Sequence, residues 1–198
     1  MKINPAFSLK KYRHMILMLL MLMLASLDGG AVAPLWGDYI KSIGGGLQAA
    51  GVAVAILNIG AAIFTVLFSA IEAKYTKYTR LFVISAFLLF ALFYLGYFFI
   101  DSTTKLYICL MGIALANGMV WPAFDALYQT TFDESKASLA WGAQVTFENI
   151  GCGAGAYLGA HIANGFNFHF LFAIMFIAAL IAAFFSLIGL PKQPIGDI

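Results

Sequence analysis

Three acids stand inside apolar stretches of this chain: Asp28, Asp125 and Glu148. A charged side chain at the centre of a bilayer costs about 2.5–3.5 kcal/mol on insertion scales, so each needs a polar cavity, a partner or a proton. Glu148 has the most informative neighbours, because Trp141, Gln144, Glu148, Gly151, Gly155 and Gly159 share one helical face. That face reads in two ways. It is a cavity wall with Glu148 as a protonatable group or a ligand for a polar solute, or it is a helix–helix contact in which glycines let backbones approach. The Glu148 end is expected to line a cavity, since a contact would leave the carboxylate unpaired; the Gly155–Gly159 end is expected to pack. Asp28 precedes Gly29 and Gly30 and is either a cavity acid or part of a helix break at the outer headgroups. Asn117, Trp121, Asp125 and Tyr128 recur at helical spacing. Asn117 and Trp121 are expected to face the cavity, Trp121 as a stacking surface. Asp125 is expected to pair with Lys74, Lys77 or Arg80 as a latch at one end of the bundle.

The elements that must position these groups are membrane spans. Hydrophobic residues make up 63% of the 198-residue sequence and charged residues 10%, where a soluble domain carries roughly a quarter charged residues. About 20 apolar residues cross the hydrocarbon layer, which predicts six spans: Met15–Trp36, Gln48–Ile71, Arg80–Ile100, Leu106–Thr130, Ser138–Ile162 and Phe168–Leu190. The short links between them predict antiparallel neighbours. Lys2, Lys10, Lys11, Arg13, Lys74, Lys77, Arg80, Lys136 and Lys192 fall on one side, against Lys41 and Lys105 on the other. That asymmetry predicts a multi-pass protein of the cell (inner) membrane with both termini cytoplasmic. Pro34, directly after Ala31-Val32-Ala33, disfavours removal of the first span as a signal peptide. The phenylalanines of the third and sixth spans suggest lipid-facing helices.

Cys109 and Cys152 read as buried free thiols, with neither a disulfide framework nor metal-ligand spacing. No phosphate loop, zinc signature or nucleic-acid-binding patch occurs, so no cofactor, metal or nucleic-acid partner is expected. No HExxH pair or Gly-x-Ser-x-Gly elbow is present, and an enzyme is not expected.

The chain also repeats itself. Shifting the second span by 91 residues lays Asn58-Ile59-Gly60 on Asn149-Ile150-Gly151, and Ala49, Gly51 and Val54 on Ala140, Gly142 and Val145. A shift of 88 lays Gly30, Val32 and Pro34 on Gly118, Val120 and Pro122. Three helices per copy is an odd number, so the second copy enters the membrane inverted. The expected architecture is a single all-α transmembrane domain, 1–198, with one repeat at about 12–100 and another at about 104–190. Asn58 and Asn149 are expected to hydrogen-bond between helices.

In this layout the chain resembles one six-helix half of the major facilitator superfamily. The family's loop between helices two and three is basic, roughly Gly-x-Leu-Ala-Asp-Arg-x-Gly-Arg-Arg. Here stand Ser69-Ala70-Ile71-Glu72-Ala73-Lys74-Tyr75-Thr76-Lys77-Tyr78-Thr79-Arg80, with Glu72 one place early for the acid and Lys74 among the basic residues. The helix-five motif Gly-x-x-x-Gly-Pro-x-x-Gly-Gly is matched at Gly151, Gly155 and Gly159, with Ala156 for the proline and Ala160 for the last glycine. The arginine usual in helix four is absent near Ile108 and Cys109. The resemblance implies a secondary transporter of a small organic solute, with possible proton coupling through Asp28 or Glu148. It implies a parallel homodimer or a second half-transporter as partner, and rocking about a cavity lined by Asp28, Asn117, Trp121, Gln144 and Glu148. A non-transporting membrane subunit, or a remnant of a twelve-helix carrier, is the alternative. The residue types admit an organic cation, a sugar or a drug-like molecule.

Overall fold

A backbone in hydrocarbon has no water to bond, so each apolar run must satisfy its own N–H and C=O groups as a helix. The computed structural model describes residues 5–165 and 167–191, with side chains from Tyr12 onward. Its α-helices are α1 (Pro5–Val32), α2 (Trp36–Ser42), α3 (Leu47–Lys74), α4 (Thr79–Gly96), α5 (Thr103–Gln129), α6 (Ala137–Gly165) and α7 (Phe168–Gly189). No strand occurs among the described residues. Lys2 and Lys192, with the side chains of Lys10 and Lys11, entered the charge count but lie outside the described residues.

Five stretches are long and apolar enough to cross a membrane: Tyr12–Ser42, Leu47–Lys74, Thr76–Phe99, Thr103–Gln129 and Phe168–Gly189. The fifth expected span, Ser138–Ile162, is the exception. α6 has 29 residues, ample length, but Gln144, Thr146, Glu148 and Asn149 crowd polar groups into its middle. The first span also runs further than expected. A 3₁₀ turn at Ala33–Leu35 carries Pro34, and helix resumes through α2 to Ser42. Proline lacks the N–H that a helix interior needs, so it loosens the turn there. Gly44 then takes φ 82°, a conformation that side chains disfavour, and lets the chain reverse into α3.

Packing follows the small residues. α6 lies along α1 with Gly151, Gly155 and Gly159 against the backbone carbonyls of Met23, Leu27 and Ala31. Gly30 of α1 returns the contact at Cys152. A Cβ at any of these four positions would strike backbone, so only glycine permits this approach. α3 lies along α5, where Gly118 abuts Phe64 and Thr65, and Gly60 abuts Ala114. α4 packs on α5 and α7 and closes the far side of the bundle.

The third and sixth spans are less lipid-facing than their composition suggests. Phe87, Phe90, Tyr94 and Tyr97 are buried on one side of the third span, as are Leu171, Phe172 and Met175 of α7. Leu81, Leu88, Leu92, Phe99 and Phe184 carry the exposed surface instead. Spacing explains the split, since 87, 90, 94 and 97 fall on one helical face.

Contacts gather the helix ends as antiparallel neighbours require. At one end, Lys136 donates to the Tyr12 hydroxyl at 2.7 Å, and His14 Nδ1 donates to the Gly189 carbonyl at 2.7 Å. Arg80 reaches the Leu187 carbonyl at the same end. These are last-turn carbonyls of α7, which lack intrahelical donors and so attract cationic groups. At the other end, Lys41 pairs with Asp38 at 3.7 Å and Lys105 with Asp101 at 2.6 Å.

Candidate functional site

The interior of the bundle holds a cavity of about 240 Å³. It is walled by α1, α4, α5, α6 and α7, with the start of α2 at its rim and only Leu57 contributed by α3. Its polar wall is Ser26 and Asp28 from α1, Asn117 and Trp121 from α5, and Glu148 and Cys152 from α6. Phe87, Phe90, Tyr94 and Tyr97 line the same cavity.

Each side chain owes its position to the packing around it. α1 and α6 approach closely along their glycines, and Asp28 and Glu148 both turn to the cavity beside that seam. Asp28 is 4% exposed and forms no hydrogen bond or ion pair with another described residue. Tyr94 lies within its electrostatic reach, and Cys152 within that of Glu148. One turn apart on α5, the Trp121 indole N–H donates to Asn117 Oδ1 at 3.3 Å, which fixes both side chains on the cavity wall.

Four of the five residues expected to bind solute or proton therefore meet in one space: Asp28, Asn117, Trp121 and Glu148. Gln144 does not. It is 8% exposed and outside the cavity lining, and its Nε2 donates to Asp125 Oδ1 at 3.0 Å while Oε1 has no partner. That bond also corrects the expected latch. Asp125 is engaged by Gln144 of α6 rather than by Lys74, Lys77 or Arg80. Lys74 and Lys77 instead lie over the rings of Tyr75 and Tyr78 at 5.3 and 4.8 Å, and Arg80 turns to α7. Glu72 accepts from Thr79 Oγ1 at 2.6 Å and clips the turn between α3 and α4.

Gly151, Gly155 and Gly159 serve the α1 contact along their whole length, not only at the far end. Trp141 sits apart from the cavity, edge-on to Tyr128 and Phe132. The asparagines of the repeat do not bridge helices. Asn58 donates to Val54 O at 2.9 Å and Asn149 to Val145 O at 2.8 Å, each on its own helix and each exposed.

Sequence reasoning missed the aromatic wall of the third span. Its signal was present: Phe87, Phe90, Tyr94 and Tyr97 recur at intervals of three and four in a run otherwise rich in leucine. Two phenol groups on one stripe of a membrane helix mark a polar-facing side.

The fold and site together define a polytopic helical membrane protein with an acidic, aromatic-walled interior cavity. The family model for the Major Facilitator Superfamily matches residues 18–197, and the chain belongs to that superfamily. Among solved structures it is similar to the in meso crystal structure of the POT family transporter PepTSo, with a TM-score of 0.65 at 15% identity. That match covers 93% of this chain and 40% of the transporter's, so the chain spans less than half the length of that relative. No curated protein sequence matches the chain.

Proposed function

We propose that the chain is a six-helix secondary transporter unit, moving a small organic solute across the cell (inner) membrane by alternating access. The cavity carries this reading: two carboxylates, an amide and an indole converge there inside a membrane bundle. Intramembrane acids without a fixed partner mark solute or proton pathways. Protonation of Asp28 or Glu148 couples transport to the proton gradient in this scheme.

The unit works as half of a twelve-helix arrangement, as a parallel homodimer or with a second half-transporter. The outer faces of α3 and α6 support that pairing. α3 buries only Ala53 and Gly60, and α6 buries only Ala140, Gln144 and three glycines. Their exposed sides hold Asn58 and Asn149 and the unobstructed glycines Gly51 and Gly142. Amide groups facing lipid are costly, whereas amides and small residues suit contact with another helix. The inverted repeat draws support from the pairing of helices. α1 packs on α6 as α5 packs on α3, and the matched glycines Gly30 and Gly118 both sit at the close approach. For orientation, the asymmetry of charge supports cytoplasmic termini. Lys41 and Lys105 are each paired with an aspartate, while Arg80, Lys74 and Lys77 rest on a carbonyl and aromatic rings at the other end.

Proteoliposomes containing the purified chain test the proposal. Solute uptake driven by an imposed pH gradient, together with a dimer in lipid, is the expected result. Asp28→Asn and Glu148→Gln are expected to uncouple uptake from that gradient. Uptake no faster than in empty vesicles, from protein that remains strictly monomeric, would support the non-transporting subunit instead.

A further inference from the structure

We infer that the cavity is a binding site for a compact organic cation, an amine or quaternary ammonium carried on an apolar body. This rests on the reading of the cavity as the solute site. Its lining holds Asp28 and Glu148 and no lysine, arginine or histidine. An anion would face two uncompensated carboxylates. A polyhydroxylated neutral solute would find hydrogen-bonding groups at Ser26, Tyr94, Tyr97 and Asn117 but would leave both carboxyl groups without a counter-charge. The Asn117 carbonyl already accepts from Trp121, and Gln144 is turned away to Asp125.

A cation gains from the carboxyl groups and the aromatic rings at once. Asp28, 4% exposed and without a hydrogen-bonding or ion-pairing partner among the described residues, supplies a buried carboxyl group on the cavity lining that an entering ammonium would pair with. On the same lining, Phe90, Tyr94 and Tyr97 supply aromatic rings, and Trp36 and Trp121 add indoles. Aromatic rings around a carboxylate are the chemistry that recognises ammonium groups, because ring faces attract positive charge without the desolvation cost of a second ion. The volume of about 240 Å³ lies below the roughly 300–1,000 Å³ usual for drug-sized ligands, which selects a small cation.

Cys152 lines the same cavity and provides a built-in reporter. In lipid nanodiscs, the full chain is treated with a cationic trimethylammonium-ethyl methanethiosulfonate or an anionic sulfonatoethyl one. Mass spectrometry of the Cys152 peptide then gives each rate, normalised to reaction with a free thiol. A cleft lined by charge of one sign raises counter-ion concentration by about 10–10³-fold, so the cationic reagent is expected to win by about tenfold or more. Tetraethylammonium is expected to protect Cys152, and glucose is not. Asp28→Asn and Glu148→Gln are each expected to shrink the preference for the cationic reagent. Equal rates, or a preference without protection by tetraethylammonium, overturn the cation site while leaving the cavity intact. Failure of Cys152 to react with either reagent, or with neutral methyl methanethiosulfonate, overturns the cavity reading itself.

Discussion

The α1–α6 pair and the α3–α5 pair are built alike and do different things. Both approach closely through glycine, at Gly30, Gly151, Gly155 and Gly159 in the first and at Gly60 and Gly118 in the second. Both carry proline on the inner helix, Pro34 just beyond α1 and Pro122 within α5. Yet the first pair brings two carboxylates to the cavity, while the second brings an amide and an indole, with α3 adding only Leu57. Close packing in lipid rests on shape, since hydrocarbon supplies no hydrophobic drive between helices. Chemistry is then free to differ between two pairs held by the same geometry.

Three measurements break or sharpen that comparison, in falling order of effect. The α1–α6 seam meets backbone on backbone at three successive turns, so Gly155→Leu is expected to cost more than the 1–3 kcal/mol or so typical of overpacking. Loss of monodisperse protein in detergent is the readout, and Gly60→Leu in the other pair should be milder because its nearest obstructions are side chains, the Ala114 Cβ at 3.0 Å and the Met111 sulfur at 3.5 Å. Gly142→Ala meets open space and should leave stability within about 0.5 kcal/mol of wild type, read as a nearly unchanged thermal midpoint. Equal damage from all three would show that the seams are not what holds the bundle.

The second measurement compares two tyrosine hydroxyls. Tyr128, fully buried, donates to the Ala140 carbonyl at 2.7 Å and ties α5 to α6, whereas half-buried Tyr107 donates to Ala49 at 3.3 Å within the α3–α5 pair. Tyr128→Phe is expected to lower stability by about 1 kcal/mol, and Tyr107→Phe by less. Thermal unfolding in one detergent orders them.

The smallest effect lies in the link between α4 and α5, outside the membrane. A hydrogen bond from Lys105 at 2.6 Å is the main cause holding the Asp101 carboxyl below its usual range. A lowered folded-state value means the contribution is present above the ordinary carboxylate range and is lost as pH falls through the lowered value. Asp101 is fully exposed, so solvent screens the pair. Asp101→Asn should leave the unfolding midpoint at neutral pH almost unchanged, and a large drop would mean that this link clamps the third and fourth spans.

Much of the scaffold was legible in the linear chain, and less of the site. The spans followed from length and apolarity, and α6 departed from them because Gln144, Thr146, Glu148 and Asn149 make its middle polar, of which only Glu148 lines the cavity. The glycine series of α6 was visible as a face, and its partner carbonyls on α1 were not. Asp28, Asn117, Trp121 and Glu148 were drawn from three spans on charge and helical spacing, and they share one cavity. Gln144 has the same period as Glu148 but faces Asp125, because α5 rather than the cavity lies beside that turn.

By itself the sequence determined that this protein crosses a membrane as helices, where the helices stand, and which rare polar groups must find an answer to burial. Those results follow from local rules: hydropathy, period and the cost of an unsatisfied group in hydrocarbon. Which helix lies beside which, and so whether a polar group meets a neighbour's amide or an open cavity, was decided only by the tertiary structure. Helical period assigns a residue to a face, and only three-dimensional packing assigns that face an environment.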